Sequence, residues 1–264
     1  VFRLTSLYDK NIANWFEKLT ESKYYKNKLH NKLRYGENPN QKAQYLSSSK
    51  INIFEKAKLS GKEISYNNIL DIDSSIKCIN EFTETTCAIF KHNNPCGVGS
   101  DKNISKAFDK ALNSDPLSAF GGVIIFNRKI DKNLALKINK VFFDIVIGKS
   151  FDKTAIQILS MKKKLILIDL KELNFKNRKD IRSVLGGNLI QDTNLTKISK
   201  SNTKLVSNKK RTKNVVDDLI FATRVAKHVK SNSIVLAKNK QTIGIGAGQM
   251  SRIDATNLAI MKYK

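Results

Sequence analysis

The segment of this chain best equipped for chemistry is Lys91-His92-Asn93-Asn94-Pro95-Cys96-Gly97. Lysine carries a fixed positive charge and histidine titrates near neutral pH, so side by side the two can share a proton transfer. The apolar run Cys87-Ala88-Ile89-Phe90 just before them reads as a buried strand closed by a turn signal. The pair therefore stands at a strand's end, where open α/β sheets usually place their chemistry.

Other candidate sets are weaker. A zinc deaminase needs His-x-Glu and Pro-Cys-x-x-Cys. Here Asn94 stands where the glutamate should be and Gly99 where the second cysteine should be, so no zinc site is expected. Gly244-Ile245-Gly246-Ala247-Gly248-Gln249 lacks the spacing of a dinucleotide fingerprint and the Lys-Ser/Thr of a phosphate loop. It reads either as a tight turn or as backbone approaching a ligand, with Arg252 as a nearby anion partner. Arg34-Tyr35-Gly36 reads as a surface loop or as a guanidinium and phenol that grip phosphate. Asp144 is a strand-edge charge or a polar substrate contact, and His30 and His228 have no evident partners.

The elements that must position these residues follow from periodicity. Ser6 to Leu19 is expected to be helical, and the polar stretch Glu21 to Lys32 to be a linker or surface extension. Asp71-Ile72-Asp73 offers a cap for a helix carrying Ile76, Ile79 and Phe82. Asn103 to Leu112 is helical, Asp115 to Gly122 is a turn, Val123 to Phe126 is a strand, and Asp131 caps a helix through Ile138. Strands follow at Ile145–Ile147, Leu165–Ile168 and Asn188–Ile190. Val215 to Val229 is an amphipathic helix. A hairpin then turns at Asn239-Lys240 between Ser233–Ala237 and Thr242–Ile245, and a last helix begins near Asp254. Strands alternating with helices predict an α/β fold with mixed sheets flanked by helices. No internal repeat of short period stands out.

Composition narrows the function classes. The 264 residues can bury a substantial core, and no stretch is apolar for long enough to span a bilayer. Three cysteines without paired spacing, and no secretory signal, predict reduced thiols in the cytoplasm. The net charge of +25 would suggest nucleic acid, but it comes mostly from Lys scattered over every polar segment. Lys, Asn and Ile together point instead to an AT-rich genome. Neither a nucleic acid nor a membrane is the expected partner, although the charge should help attract anionic substrates. The rival reading, a basic nucleic-acid-binding module, predicts salt-sensitive binding to any polyanion.

Seven segments together resemble the bifunctional purine biosynthesis family. They are Arg34–Gln41, Ile64–Ile69, Lys91–Gly97, Ser114–Gly122, Gly186–Asp192, Lys230–Ser233 and Ile243–Arg252, in the family's order and at similar spacing. The likeness is to the AICAR transformylase part and runs from about Lys32 to the end. Residues 1–31 resemble the tail and linker of the IMP cyclohydrolase domain. Residues 32–264 would then be a transformylase domain without its C-terminal stretch, and the chain, which starts at Val1, would be cut at both ends.

The resemblance implies a cytidine-deaminase-like fold without zinc. It also implies formyl transfer from 10-formyltetrahydrofolate to the amine of AICAR, by a homodimer with sites across its interface. Lys91 and His92 would be catalytic, and which is acid and which base stays open. Arg34, Tyr35, Gly121, Asp144 and Asn232 match AICAR-binding positions, and Arg252 matches a folate-binding position. Some members hold a potassium ion near the segment matching Ser231–Ser233. Asn40 departs from the family's usual His, and Asn93 falls at a variable position; neither touches the implied chemistry.

Overall fold

Runs rich in β-branched and aromatic residues form a central sheet, and helices with one apolar face close over both of its sides. A computed structural model describes residues 1–20, 29–47, 52–173, 179–206, 208 and 212–263. The chain begins with α1 (Phe2–Thr20), the hairpin β1 (Leu29–Leu33) and β2 (Ala43–Ser47), then α2 (Ile53–Ala57) and β3 (Lys58–Ser60). Next come α3 (Tyr66–Ile79), β4 (Thr86–Lys91), β5 (Asn94–Ser100), α4 (Ile104–Ser114) and α5 (Pro116–Ala119). Three strands alternate with two helices: β6 (Val123–Ile130), α6 (Lys132–Asn139), β7 (Ile145–Phe151), α7 (Lys153–Ser160) and β8 (Ile166–Asp169). The hairpin β9 (Lys179–Val184) and β10 (Gly187–Asp192) precedes α8 (Lys213–Ala226), β11 (Ile234–Lys238), β12 (Gln241–Gly246) and α9 (Arg252–Lys262).

The main sheet has eight strands in the order β11-β12-β5-β4-β6-β7-β8-β3. β6, β7 and β8 are parallel and the other neighbours antiparallel, so the mixed α/β class expected from the alternation is what forms. Alternation along β4 divides the core: Ala88 and Phe90 face one apolar cluster with α3 and α8, while Cys87 and Ile89 face the other with α4, α6 and α7. Phe90, Ile89, Ile124 and Ile125 are fully buried, each contributing about 1.5–3 kcal/mol.

Several expectations need correction. α3 starts at Tyr66, ahead of Asp71. Its cap is Ser65, which accepts the Asn68 N–H at 3.2 Å while Asn68 Oδ1 accepts the Ser65 N–H at 3.1 Å. That reciprocal box satisfies two end groups that Asp71 and Asp73 could not reach. Asn94–Ser100, which is not among the expected strands, is itself a strand; Pro, Cys and Gly hide it from propensity. The stretch read as a linker becomes strand at Leu29, and Glu21 to Lys28 lie outside the described residues. The turn after Asp115 contains the one-turn helix α5.

Tertiary structure also reveals a duplication of long period. A capped helix, a two-residue hairpin and a helix laid over the second strand occur twice, as α3-β4-β5-α4 and α8-β11-β12-α9. Ser65 and Thr212, which cap α3 and α8, stand 147 positions apart (212 less 65). The same step relates Asp71 to Asp218, Gly97 to Gly244 and Gly99 to Gly246. Both turns, His92-Asn93 and Asn239-Lys240, have two residues with positive φ. The two units meet antiparallel, with Gln241 beside Gly99.

Candidate active site

One face of α3 organises the site. Asn67, Asp71 and Ser74 recur at helical spacing and point the same way. Asn67 Nδ2 donates to the Glu37 carbonyl at 3.1 Å, which ties the Arg34–Gln41 loop to the helix. Asp71 Oδ1 accepts the Asn93 N–H at 2.7 Å, and the Ser74 hydroxyl lies 3.4 Å from Asn93 Oδ1. In the loop, the Arg34 guanidinium donates to Tyr35 Oη at 2.9 Å and sits 4.8 Å from the centre of its ring. Guanidinium and phenol are thus presented as one unit.

Lys91 ends β4, and its ammonium donates to the Phe120 carbonyl at 2.8 Å. His92 follows, exposed, at φ 52°. Phe90 pairs with Val123, so Lys91 lies level with the entry to β6. Gly121 there, at φ 72°, donates its N–H to the Phe142 carbonyl at 2.8 Å, and the Phe120 and Phe142 rings pack 5.0 Å apart. Asp144 opens β7: its N–H donates to the Gly122 carbonyl at 3.0 Å, and its carboxylate takes Lys62 Nζ at 3.2 and 3.3 Å. The site therefore lies at the carboxyl end of β4 but at the amino ends of β6 and β7. The rule that places chemistry at carboxyl ends fits the hairpin strand and not the parallel set.

The second repeat contributes from the other side. Asn94 Oδ1 accepts the Lys230 N–H at 2.9 Å. Asn232 Nδ2 donates to the Gln249 and Met250 carbonyls, both at 3.1 Å, and its backbone exchanges hydrogen bonds with Gln249. Arg252 is exposed two residues further on, at the start of α9. A cavity of about 370 Å³ opens beside Lys91 and His92, with Pro95, Ile245 and Leu258 as its apolar wall and Lys262 opposite. Lys262 is held by Asp115 at 2.8 Å, and Asp115 also caps α5 through the Ser118 N–H at 3.0 Å.

Burial pushes the Asp71 carboxyl above its ordinary value; the Asn93 N–H and the His92 imidazole oppose this, and Asp144 adds to it. Burial likewise pushes the Cys96 thiol up to about 12, so it stays protonated near neutral pH. Among the described residues no group of His, Cys, Asp and Glu is placed to hold a metal.

Lys91, His92, Gly121 and Asp144 thus share one end of the sheet. Asn232 and Arg252 are joined to it through the second repeat, and Arg34 and Tyr35 through α3. Reasoning from sequence missed Lys62, Asp71 and Asn94. For Asp71 the signal was its step of four from Asn67, masked by reading it as a cap. The glycines of Gly244-Ile245-Gly246 meet a packing demand. A Cβ on Gly244 would lie 2.1 Å from the Ala259 carbonyl and one on Gly246 1.9 Å from that of Ala255, so they admit α9. His228, read as unpartnered, places Nε2 3.3 Å from Glu81 Oε1, which also accepts Lys227 Nζ at 2.6 Å. The side chain of His30 lies outside the described residues. No described helix is long and apolar enough to cross a membrane.

The family model described as AICARFT/IMPCHase bienzyme matches residues 1–262. The bifunctional purine biosynthesis protein PurH of Caldicellulosiruptor saccharolyticus is 44% identical over 276 residues, covering 100% of this chain and 54% of that protein. PurH of Acetivibrio thermocellus is 44% identical over 273 residues, and that of Prochlorococcus marinus AS9601 41% over 275, each covering 98% of this chain and 53% of the relative. The chain spans about half the length of the curated relatives it matches.

Proposed function

The chain belongs to the AICARFT/IMPCHase bienzyme family, and from that premise we propose that it carries the formyl-transfer site, moving a formyl group from 10-formyltetrahydrofolate to the amine of AICAR. The observation that carries this reading is the convergence of Lys91, His92, Gly121 and Asp144 at one sheet end, with Asn232 tied to the same hairpin through Lys230 and Asn94.

The AICAR amine is a weak nucleophile because its lone pair is delocalised into ring and carboxamide. Attack forms a bond from the amine nitrogen to the formyl carbon and raises an oxyanion. Collapse breaks the bond to the folate nitrogen, which takes up a proton as the amine gives one up. His92, exposed at the turn, is suited to accept the amine proton. An ammonium has three N–H groups, and Lys91 spends one on Phe120, leaving others for the oxyanion and for protonating the folate nitrogen. Arg34 and Tyr35 are suited to the AICAR phosphate, with Gly121, Asp144 and Asn232 holding the rest of the substrate. Arg252 and the cavity beside α9 form the folate side.

The same reading takes residues 1–31 as tail and linker of an IMP cyclohydrolase domain and residues 32–264 as the transformylase domain. The whole protein would close formyl-AICAR to IMP. It would be a cytoplasmic homodimer, and the transformylase fold would be of the cytidine-deaminase-like kind without zinc. A potassium ion beside Ser231–Ser233 belongs to this reading as well. The Lys230 and Asn232 carbonyls there accept the Gly248 and Gln249 N–H groups, and each keeps a lone pair for a cation.

A thermal-melt titration tests the pocket. AICAR monophosphate should raise the melting temperature saturably, while the phosphate-free riboside and inorganic phosphate should not. A cooperative melt that ignores the monophosphate would sink the proposal.

A further inference from the structure

Asp115 stands where α4 ends and α5 begins. Its side chain is nearly buried, and both carboxylate oxygens are engaged. Oδ1 accepts the Ser118 N–H at 3.0 Å, while Oδ2 accepts the Ser118 hydroxyl at 2.7 Å and the Lys262 ammonium at 2.8 Å. Asp115 and Lys262 are counterparts in the two repeats, 147 apart (262 less 115). They meet across the junction, each at the end of its repeat's last helix. α5 needs that grip. It has four residues, too few to hold a helical turn by their own hydrogen bonds, and only Ala119 among them is buried.

The far end of the same turn holds Lys91, whose ammonium donates to the Phe120 carbonyl at 2.8 Å. The Gly122 N–H returns to the Ala119 carbonyl at 3.0 Å and closes the turn. Cys96, on the strand paired with that of Lys91, turns its thiol to the Ser118 carbonyl at 3.7 Å. Asp115 and Lys91 are therefore joined through one short piece of chain: carboxylate to Ser118, Ser118 along the backbone to Phe120, and the Phe120 carbonyl to the ammonium. Lys262 lines the cavity that Lys91 and His92 line, so its ammonium would stand unpaired there without Asp115.

We propose that Asp115 is a positioning residue for Lys91: by capping α5 it fixes the Phe120 carbonyl that aims the Lys91 ammonium, and Lys262 of the second repeat clamps that cap in place. The kinetic consequence rests on the formyl-transfer reading; the hold on Lys91 does not.

The test is a double-mutant cycle in the full-length enzyme, joined to trace acetylation of Lys91 by acetic anhydride, read by peptide mass spectrometry. Asp115→Ala should lower kcat about 30-fold, as misplacing a reacting group does, with KM for AICAR within about twofold. In a Lys91→Ala background the same substitution should change kcat by less than about twofold, because the group it aims is gone. A merely structural role would lower kcat equally in both backgrounds, and that result would overturn the proposal. Asp115→Asn keeps an oxygen for the Ser118 N–H and should recover most of the loss. A fall as deep as that of Asp115→Ala would overturn the capping route. Lys91 should acetylate several-fold faster, relative to the other lysines, in Asp115→Ala; an unchanged rate would overturn the hold itself. If Asp115→Ala does not fold, Ser118→Ala removes the hydroxyl bond to Oδ2 and should raise Lys91 acetylation in the same direction, and no rise would be equally fatal. If the unmodified enzyme transfers no formyl group, the formyl-transfer reading fails, and acetylation still decides whether Asp115 holds Lys91.

Discussion

The units α3-β4-β5-α4 and α8-β11-β12-α9 are one scaffold used twice, and only the first carries a histidine after the lysine that ends its hairpin strand. Each lays a helix on a Gly-x-Gly strand with the backbones in close contact. A Cβ on Gly97 would lie 2.0 Å from the Ala111 carbonyl, as one on Gly244 would lie 2.1 Å from that of Ala259. Each turn is gripped by an aspartate from the preceding helix. The differences lie in the side chains at the turn and in what the turn meets. His92-Asn93 meets the entries to β6 and β7, where Gly121 and Asp144 stand. Asn239-Lys240 meets the far end of the first unit, where the Lys240 carbonyl accepts the Ser100 N–H at 2.9 Å and Lys110 donates to the Asn239 carbonyl at 3.0 Å. The scaffold supplies a rigid presentation, and the neighbours decide whether it becomes a site.

The sharpest way to break this contrast is to remove the matching lysines, Lys91 and Lys238. In the full-length enzyme Lys91→Ala should cut formyl transfer by on the order of 10³-fold with substrate binding retained, and Lys238→Ala should leave turnover unchanged. Normal turnover in Lys91→Ala would remove the chemical distinction between the repeats. The scaffold, by contrast, should respond equally in both. Gly97→Ala and Gly244→Ala should each cost about 3 kcal/mol in denaturant unfolding, because backbone must move to admit the methyl. A loss in one repeat alone would mean that the two helix contacts are not equivalent.

A smaller effect sits between the repeats. Glu81 and His228 stand at matching positions, 147 apart (228 less 81), and touch each other across the junction. Burial pushes the Glu81 carboxyl up, but hydrogen bonds from His228 and Lys227 and their charges outweigh it and hold it below the ordinary 4.5. Its contribution is therefore present above pH 4.5 and is lost as pH falls through the lowered folded value. Glu81→Gln should cost about 2 kcal/mol at pH 7 and flatten the acid end of the melting-temperature profile. An unchanged acid slope would show that the junction does not depend on this charge. The smallest change expected is from Asp218→Asn, about 1 kcal/mol with no effect on substrate binding, as suits a purely structural grip.

Much of this was legible in the sequence where the physics is local. The apolar runs of β4, β6, β7 and β8, the turn at Asn239-Lys240 and the amphipathic face of α8 each carry their signal within a dozen residues. β5 was not legible, because its propensity is poor and it forms only between β4 and β12. The duplication was hidden for a related reason. Between residues 65 and 100 and their counterparts, identity is confined to Asn67, Asp71, Lys91, Gly97 and Gly99. These mark a helix face, a turn and a close approach, and carry no hydrophobic period.

By itself the sequence determined the residue types able to do chemistry, the α/β class and, through its motifs, the family. Lys91 and His92 are adjacent in the chain, so no fold was needed to find them. Only tertiary structure decided that Asp71 belongs to the turn 22 residues on (93 less 71) and not to a helix cap. It also decided that Lys62 pairs with Asp144, and that Gly244 and Gly246 admit the close approach of α9. Each of these depends on groups distant in sequence meeting at about 3 Å, a distance that helix phase and sheet register set and that local spacing does not encode.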